Sequence, residues 1–426
     1  MAKTTISPPV STLPGVLDEF ETQRVPQSYR RSLLSVTSVW AGFPLVITSS
    51  LSGAAIVHGL GFVTGMLAIF AGCMLLFAYV GTLSALAART GDNFSLQASA
   101  TFGRTGYIIS SGLLSTLVLG WFAVQSALVG ETIAGEFQVN AAVISIAAGL
   151  AFTALTMLGI RALAVIGAIS GPLFLIFGVI AIIAAGVGGA DIFGYQGAGA
   201  ASAMLFGGAV TLVFALFADS GTMSADFTRW AKTPKDAVIA TASAFPVGHF
   251  ITMTFGGLVA AATMQVDTSI FKSVVGLGSL FPAIAILLLV LNLASVCSHC
   301  LYNAAVGWAF ITKGRMRVLT LILGIIGTII AGLGAWAYFV DWLNFLGIIV
   351  PPIGAIIIAD QAILRRKSPT AKSIRWQPFA AWAIGSSAAF LANYAAPSIS
   401  NVVVGILFGG GAYILISTFV RDPERV

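Results

Sequence analysis

The chain has 426 residues, of which 58% are hydrophobic and only 8% are charged, and its formal net charge is +6. Soluble domains carry roughly 25% charged residues, so this composition excludes an ordinary soluble protein. The basic residues fall between apolar segments instead of forming one charged face, which argues against a nucleic-acid-binding surface.

Apolar segments of about 20 residues, long enough to cross a bilayer as a helix, recur along the chain. In chain order they predict twelve spans: 33–57, 62–86, 107–134, 141–159, 163–188, 201–226, 237–263, 278–308, 318–339, 343–364, 377–394 and 401–420. The sequence therefore predicts an all-α membrane protein with many passes through the bilayer. The three cysteines, Cys73, Cys297 and Cys300, lie inside these segments, so no disulfide framework is expected.

The distribution of lysine and arginine predicts the orientation of the spans. With the N-terminus in the cytoplasm, the inside segments hold all but one of the 21 basic residues, the exception being Lys272. Cytoplasmic segments of membrane proteins are enriched in basic residues. We therefore expect a multi-pass protein of the cell (inner) membrane with both termini in the cytoplasm.

The first span is interrupted by a turn signal soon after it begins. Gly42 and Pro44 follow Trp40 there, and proline removes a backbone donor and clashes with the preceding turn. Non-helical backbone at membrane depth is tolerated where it is buried in protein or lines a cavity. A kink without a binding site would also explain one such break taken alone.

The sixth span has a second interruption, at Asp219, Ser220 and Gly221. The first and sixth spans each open a set of five, and an odd number of spans inverts the second set relative to the first. Paired broken helices in inverted repeats are typical of the binding site of secondary transporters. The expected organisation is a tail at 1–32, one repeat at 33–200, an inverted repeat at 201–364, and two further spans with the C-terminus at 365–426.

Three segments resemble the nucleobase–cation symporter-1 family: VPQSYRR at 25–31, ADFTRW at 225–230 and NFLGIIVPPIGAIIIAD at 344–360. The resemblance runs from about residue 25 to 365. It implies a LeuT-type fold of twelve helices in which helices 1 and 6 are broken. It also implies uptake of purines, pyrimidines or related flat heterocycles by alternating access, driven by sodium or protons and without a cofactor.

The resemblance places the substrate between two aromatic side chains, one from the third span and one from the sixth. These positions fall at Trp121 and Phe217. A flat heterocycle gains dispersion and offset stacking between two π faces. Both residues would also be ordinary in a protein core or facing lipid, since the chain has 29 phenylalanines.

Amide side chains are expected to form hydrogen bonds with the polar atoms at the edge of the ring. Gln125 lies one helical turn after Trp121 on the same face, and Asn292 in the eighth span matches a family amide near both ligand and ion. A carboxamide offers a donor and an acceptor, although each could instead form only a helix–helix hydrogen bond. The family's cytosine permeases have Gln three residues before the tryptophan, and here that residue is Val118.

The sodium site that the resemblance implies is incomplete in this sequence. Its first-span carbonyls fall at Gly42 and Leu45, and its eighth-span ligands at Asn292 and Ser295. The second of two adjacent hydroxyls is replaced by Val296, which supplies no oxygen. Sodium and protons therefore both remain candidates for the coupling ion.

Titratable residues at membrane depth are functional candidates by default. Asp219 is expected to accept N–H bonds from the ligand or to carry the coupling proton; alternatively, it caps the half-helix that follows. His249 and His299 are also deep in predicted spans. His299 cannot converge with Cys297 and Cys300 on one ion from a single helix, so no metal site is expected.

Other functions fit the sequence less well. A channel would keep a continuous polar path, whereas the polar groups here cluster at one depth. No nucleophile, metal cluster or soluble face suggests an enzyme. The alternative substrates are a thiamine-precursor pyrimidine, a hydantoin, allantoin or a pyridine vitamin. The expected partners are the heterocycle and the bilayer, with no nucleic acid and no obligate protein. Asp360, at an inner helix end, is expected to pair with Arg365.

Overall fold

The computed structural model describes residues 20, 23–198, 204–265, 270–365 and 372–420, without the side chains of 160–164. Most of the predicted N-terminal tail and the last six residues of the chain lie outside these ranges. Within them the chain is helical, and the only strand-like pairing is an isolated parallel bridge between Arg31 and Ala231. The prediction of an all-α protein is confirmed.

The described residues form nineteen α-helices: α1 Leu33–Trp40, α2 Ile47–Leu60, α3 Phe62–Thr90, α4 Phe94–Phe102, α5 Tyr107–Phe137, α6 Ala141–Met157, α7 Ile160–Ala184, α8 Phe206–Ala215, α9 Ala218–Thr222, α10 Ala225–Thr228, α11 Pro234–Ala242, α12 Phe250–Thr263, α13 Ile270–Val275, α14 Phe281–Thr312, α15 Met316–Gly332, α16 Phe339–Ile349, α17 Pro351–Ile358, α18 Trp376–Ala395 and α19 Asn401–Phe419. Two π-helical segments, Ser243–His249 and Ala359–Ile363, join α11 to α12 and extend α17.

Seven helical stretches of the described chain are long and apolar enough to cross a membrane: Phe62–Thr90, Tyr107–Phe137, Val165–Ala184, Pro234–Thr263, Phe281–Thr312, Ala335–Ile363 and Asn401–Phe419. Four further apolar helices are shorter: Ile47–Leu60, Ala141–Met157, Phe206–Ala215 and Met316–Gly332. These stretches identify an integral membrane protein, as the composition predicted.

Between α1 and α2 the backbone leaves the helical path. α1 ends at Trp40, α2 begins at Ile47, and the Leu45 N–H bonds to the Gly42 carbonyl at 3.2 Å. Asn292 on α14 bridges the gap, because its Oδ1 accepts the Ile47 N–H at 3.0 Å and its Nδ2 donates to the Leu45 carbonyl at 2.7 Å. The Asn292 side chain thus provides partners for the Ile47 N–H and the Leu45 carbonyl, which have no helical partners at the start of α2.

Leu216 and Phe217, between α8 and α9, form a second irregular segment. The predicted interruption at Asp219, Ser220 and Gly221 is displaced, because these residues lie inside the short helix α9. The Phe217 N–H bonds to the Phe214 carbonyl at 3.1 Å instead of reaching the Val213 carbonyl four residues back. His249, at the end of the first π-helical segment, donates from Nε2 to that Val213 carbonyl at 3.2 Å. A neighbouring helix therefore supplies the partner at this break also.

Glycines let α2 and α12 approach closely. A Cβ on Gly53 would collide with the backbone of Met253, and one on Gly256 would collide with the backbone of Ser50. Close backbone contact at small residues is a common way for helices to associate in membranes. This contact fixes α2, and therefore one side of the first break, against the segment that carries His249.

The helices α4, α17, α18 and α19 meet at a buried ion pair. Arg375 Nη1 lies 3.3 Å from Asp360 Oδ2, to which Thr101 Oγ1 also donates at 2.9 Å. The hydroxyl of Tyr413 donates to the other oxygen of Asp360. The predicted pairing of Asp360 with Arg365 is wrong, because the carboxylate is buried and faces Arg375 inside the bundle.

Candidate functional site

A small cavity lies where the two irregular segments meet α5 and α14. Trp121 and Gln125 reach it from α5, and Phe217 reaches it from the second break, so three of the predicted substrate residues are brought together. Its other lining residues are Phe43, Val46, Thr48, Leu216, Ser220, Val296 and Cys300. The cavity volume is about 10 Å³, which is close to the minimum for one water molecule. A heterocycle enters only if these walls move apart.

Asp219 is fully buried beside this cavity and holds the indole of Trp121. Its Oδ1 accepts the Trp121 Nε1–H at 3.2 Å and the Ser220 N–H at 2.7 Å. Its Oδ2 has no hydrogen-bond partner among the described residues. One carboxylate oxygen thus orients the tryptophan and accepts a backbone N–H in the first turn of α9, while the other remains available as an acceptor.

Gln125 supplies a second acceptor at the same place. The side chain is 2% exposed, and its Oε1 has no partner within the described part of the chain. Buried polar atoms in native proteins are nearly always hydrogen-bonded. Gln125 lines the cavity, whereas Asp219 does not line it and adjoins it through its bonds to Trp121 and Ser220. These two acceptors suit a ligand that presents N–H groups.

Phe217 is surrounded by aromatic side chains that meet it edge-on or tilted. The centroid of its ring lies 4.8 Å from that of His249 and 5.4 Å from those of Phe43 and Phe245, with interplanar angles between 59° and 84°. None of these rings lies parallel to Phe217. On the opposite side, Trp121 meets Phe339 of α16 at 6.0 Å and 71°.

The residues expected to bind sodium are separated by the structure into two groups. Leu45 and Asn292 are bonded to each other, as described above, and neither lines the cavity around Trp121. Gly42 and Ser295 line a second cavity of about 60 Å³, whose other lining residues are Ser38, Val39, Phe43, Gly167, Ala168, Val296 and His299. Because the Leu45 carbonyl and Asn292 already make hydrogen bonds, fewer oxygen atoms are free to coordinate a cation.

The two deep histidines bond to backbone carbonyls on the described helices. His299 donates from Nδ1 to the Ser295 carbonyl, one turn earlier on α14, at 2.7 Å. His249 bonds to Val213 across the second break. The sequence marked both as deep in predicted spans but gave neither a role. For His249 the reason is that a contact between distant helices leaves no local signal. No group of three or more His, Cys, Asp or Glu side chains in the described ranges is placed to hold a metal ion.

Comparisons with known proteins agree with this architecture. A family model described as "Permease for cytosine/purines, uracil, thiamine, allantoin" matches residues 24–414. Cytosine permease of Escherichia coli (strain K12) is 32% identical over 408 residues, which cover 94% of each chain. Cytosine permease of Escherichia coli O157:H7 matches with the same identity and coverage.

Two solved structures have a similar fold. One is Mhp1, a nucleobase-cation-symport-1 family transporter in a closed conformation with bromovinylhydantoin bound. It has a TM-score of 0.75 and 18% identity, over 93% of this chain and 94% of the other. The second, a Na+-coupled sialic acid symporter in a substrate-bound outward-open state, has a TM-score of 0.63 and 14% identity, over 93% of this chain and 89% of the other.

Proposed function

This chain belongs to the family of permeases for cytosine/purines, uracil, thiamine and allantoin, and from that premise we propose that it imports a nucleobase or a related flat nitrogen heterocycle by cation symport. Its relatives are permeases and transporters, so it is a membrane transporter and not an enzyme. The observation that carries the substrate class is the cavity in which Trp121, Phe217 and Gln125 meet beside Asp219.

The proposed architecture is the twelve-span arrangement of the LeuT type. Two inverted repeats of five spans, at 33–200 and 201–364, place the breaks before α2 and before α9 at the centre of the bundle. Residues 1–32 form a cytoplasmic tail, and 365–426 hold two further spans and a cytoplasmic C-terminus in the inner membrane. The distribution of basic residues supports this orientation.

In the proposed site the heterocycle lies between the rings of Trp121 and Phe217. Asp219 Oδ2 and Gln125 Oε1 accept N–H groups from its edge, since both atoms are buried without partners among the described residues. Asn292 acts indirectly, because its hydrogen bonds to Leu45 and Ile47 set the shape of the first break. Alternating access opens the site to one side of the membrane at a time.

The coupling ion is proposed to be the proton at least as much as sodium. Val296 removes one oxygen from the sodium site that the family implies. The Leu45 carbonyl already accepts from Asn292 Nδ2, and Asn292 Oδ1 already accepts the Ile47 N–H. Asp219 adds a titratable group beside the substrate. Gly42 and Ser295 remain the candidates if sodium contributes.

The test is uptake by purified protein in liposomes, with the sodium and proton gradients varied separately. The panel contains cytosine, uracil, adenine, allantoin, a thiamine-precursor pyrimidine and a pyridine vitamin. A hydantoin is added because the structural relative Mhp1 has one bound. We expect saturable uptake of at least one planar heterocycle, with protein-free liposomes as the control. Absence of binding and uptake for every ring in the panel would refute the proposed substrate class.

A further inference from the structure

We propose that His249 is a positioning residue for the substrate, which holds the break between α8 and α9 and fixes the ring of Phe217 on which the heterocycle stacks. The inference rests on the proposed function, because Phe217 stacks on a substrate only if that substrate is flat. His249 is absent from the lining of the cavity around Trp121. It acts through Phe217 and through the backbone of Val213.

The first contact is the hydrogen bond to the backbone. Carbonyls in the last turn of a helix have no partner within that helix, and a buried carbonyl without a partner is costly. His249 is fully buried, and its Nε2 lies 3.2 Å from the Val213 carbonyl. A carbonyl only accepts, so this bond requires the proton of the neutral imidazole to be on Nε2.

The second contact is with the ring of Phe217, four residues after Val213. The imidazole meets that ring at 4.8 Å between centroids and at an angle of 84°, an edge-to-face arrangement that is favourable for aromatic pairs. His249 therefore restrains both the backbone that leads into the break and the side chain at its end. Rotation of Phe217 would disturb this ring contact.

The backbone that carries His249 is itself unusual. Ser243–His249 is π-helical and contains Pro246; proline has no N–H for a helical bond, and π-helical turns often occur at functional sites. A Cβ on the neighbouring Gly248 would lie 3.2 Å from the carbonyl of Ala41, in the first break. This one segment therefore touches both breaks that flank the cavity.

Three variants separate the two contacts of His249. His249→Gln keeps an N–H donor for Val213, His249→Phe keeps a ring against Phe217 without the donor, and His249→Leu keeps neither. We expect His249→Leu to weaken binding of a planar ring by about tenfold, as for the loss of one buried hydrogen bond. His249→Gln should stay within about threefold of the wild type, and His249→Phe should fall between them.

The measurement is equilibrium binding of cytosine, uracil and the non-planar 5,6-dihydrouracil to purified protein. A merely structural defect would weaken the binding of all rings alike. Loss of the stacking geometry should instead reduce the preference for uracil over 5,6-dihydrouracil. The matched control is His58→Leu, which removes a histidine bonded to the Tyr195 hydroxyl at 3.0 Å, in a different part of the fold.

A double-variant cycle with Phe217→Leu decides whether His249 acts through Phe217. If it does, adding His249→Leu to Phe217→Leu causes little further loss, because coupled residues are not additive. Fully additive losses, or planar-ring binding by His249→Phe and His249→Leu equal to that of the wild type, would overturn the inference. If His249→Leu does not fold, the cycle is made with His249→Phe. A wild type that binds no heterocycle refutes the proposed function instead.

Discussion

The indole of Trp121 is held at its polar end and at its edge, which leaves little freedom for its ring. Asp219 accepts its N–H at 3.2 Å and Phe339 meets it edge-on at 6.0 Å. An aromatic side chain that is already oriented loses little conformational freedom when a ligand stacks on it. The binding energy of the proposed sandwich therefore depends on residues behind the two rings as well as on the rings.

Removal of the Trp121 ring should weaken substrate binding without abolishing folding. Trp121→Ala should lose about 1–2 kcal/mol of stacking and burial, or roughly 5–30-fold in affinity. Trp121→Phe should keep more of this binding energy, although the bond to Asp219 is lost. The measurement is the equilibrium Kd for the transported ring. The control is Trp382→Phe, which removes an indole bond to the Ile349 carbonyl outside the cavity. Wild-type affinity in Trp121→Ala would exclude the sandwich.

Asp219→Asn should separate proton coupling from substrate binding. The asparagine Oδ1 can still accept from Trp121 and Ser220, but the side chain no longer titrates. We expect accumulation driven by a pH gradient to be lost, while exchange of labelled for unlabelled substrate continues. The control is Asp191→Asn, which changes an exposed carboxylate. Sodium-dependent uptake that ignores the pH gradient and survives Asp219→Asn would contradict the prediction.

At this scale the sequence predicted three residues that meet at one cavity, but not which atoms bond. The spacing of Trp121 and Gln125 placed both on one face of α5, and they do line one cavity with Phe217. Asn292 was expected near both ligand and ion, but its amide is occupied by the backbone of the first break. The direction of that side chain depends on how α14 is rotated against α2, which no local pattern specifies.

At the scale of elements, two irregular segments reach the cavity, and the π-helical segment 243–249 touches both of them. Gly42 and Pro44 lie in one irregular segment, as expected of residue types that disfavour an apolar helix at membrane depth. Asp219, Ser220 and Gly221 instead lie inside α9, just after the irregular residues Leu216 and Phe217. The π-helical segment at 243–249 contains a comparable signal in Pro246 and Gly248, whereas the segment at 359–363 contains neither glycine nor proline. An extra residue in a helical turn changes the register without changing the hydrophobic pattern, so sequence periodicity does not detect it.

The buried ion pair between Asp360 and Arg375 should be important for the thermal stability of the fold. Removal of one partner from such a pair costs roughly 3–5 kcal/mol, because the remaining charge stays buried. Asp360→Asn should therefore lower the midpoint of thermal unfolding in detergent, and Asp360→Leu combined with Arg375→Met should recover much of it. Arg24→Ala is the control, since Arg24 is 61% exposed in its pair with Asp92 and exposed pairs contribute about 0–1 kcal/mol. Equal midpoints for Asp360→Asn and Arg24→Ala would show that the pair is not structurally important.

At the scale of the whole molecule, two segments that carry the family resemblance contact each other across the fold. The Arg31 N–H, at the end of VPQSYRR, bonds to the Trp230 carbonyl of ADFTRW at 2.7 Å, and the Arg31 guanidinium lies 5.0 Å from the centroid of the Trp230 ring. Arg24 of the same N-terminal region pairs with Asp92 before α4. The sequence identified both segments as similar to the family, but only the fold shows that they form one contact, between the residues before α1 and those after α10.

This contact should have to open during transport if the site alternates between the two sides of the membrane. Arg31 and Ala231 form the isolated parallel bridge. Bridged residues lie about 4.8 Å apart, within the range of Cα separations that a disulfide spans. We expect the double variant Arg31→Cys and Ala231→Cys to lose uptake when oxidised and to regain it when reduced, while substrate binding is retained. Cys73, Cys297 and Cys300 are buried and free, so they should not interfere. Each single cysteine variant under the same oxidant is the control, and mass spectrometry measures the extent of crosslinking. Complete crosslinking with wild-type uptake would mean that this contact stays closed throughout the transport cycle.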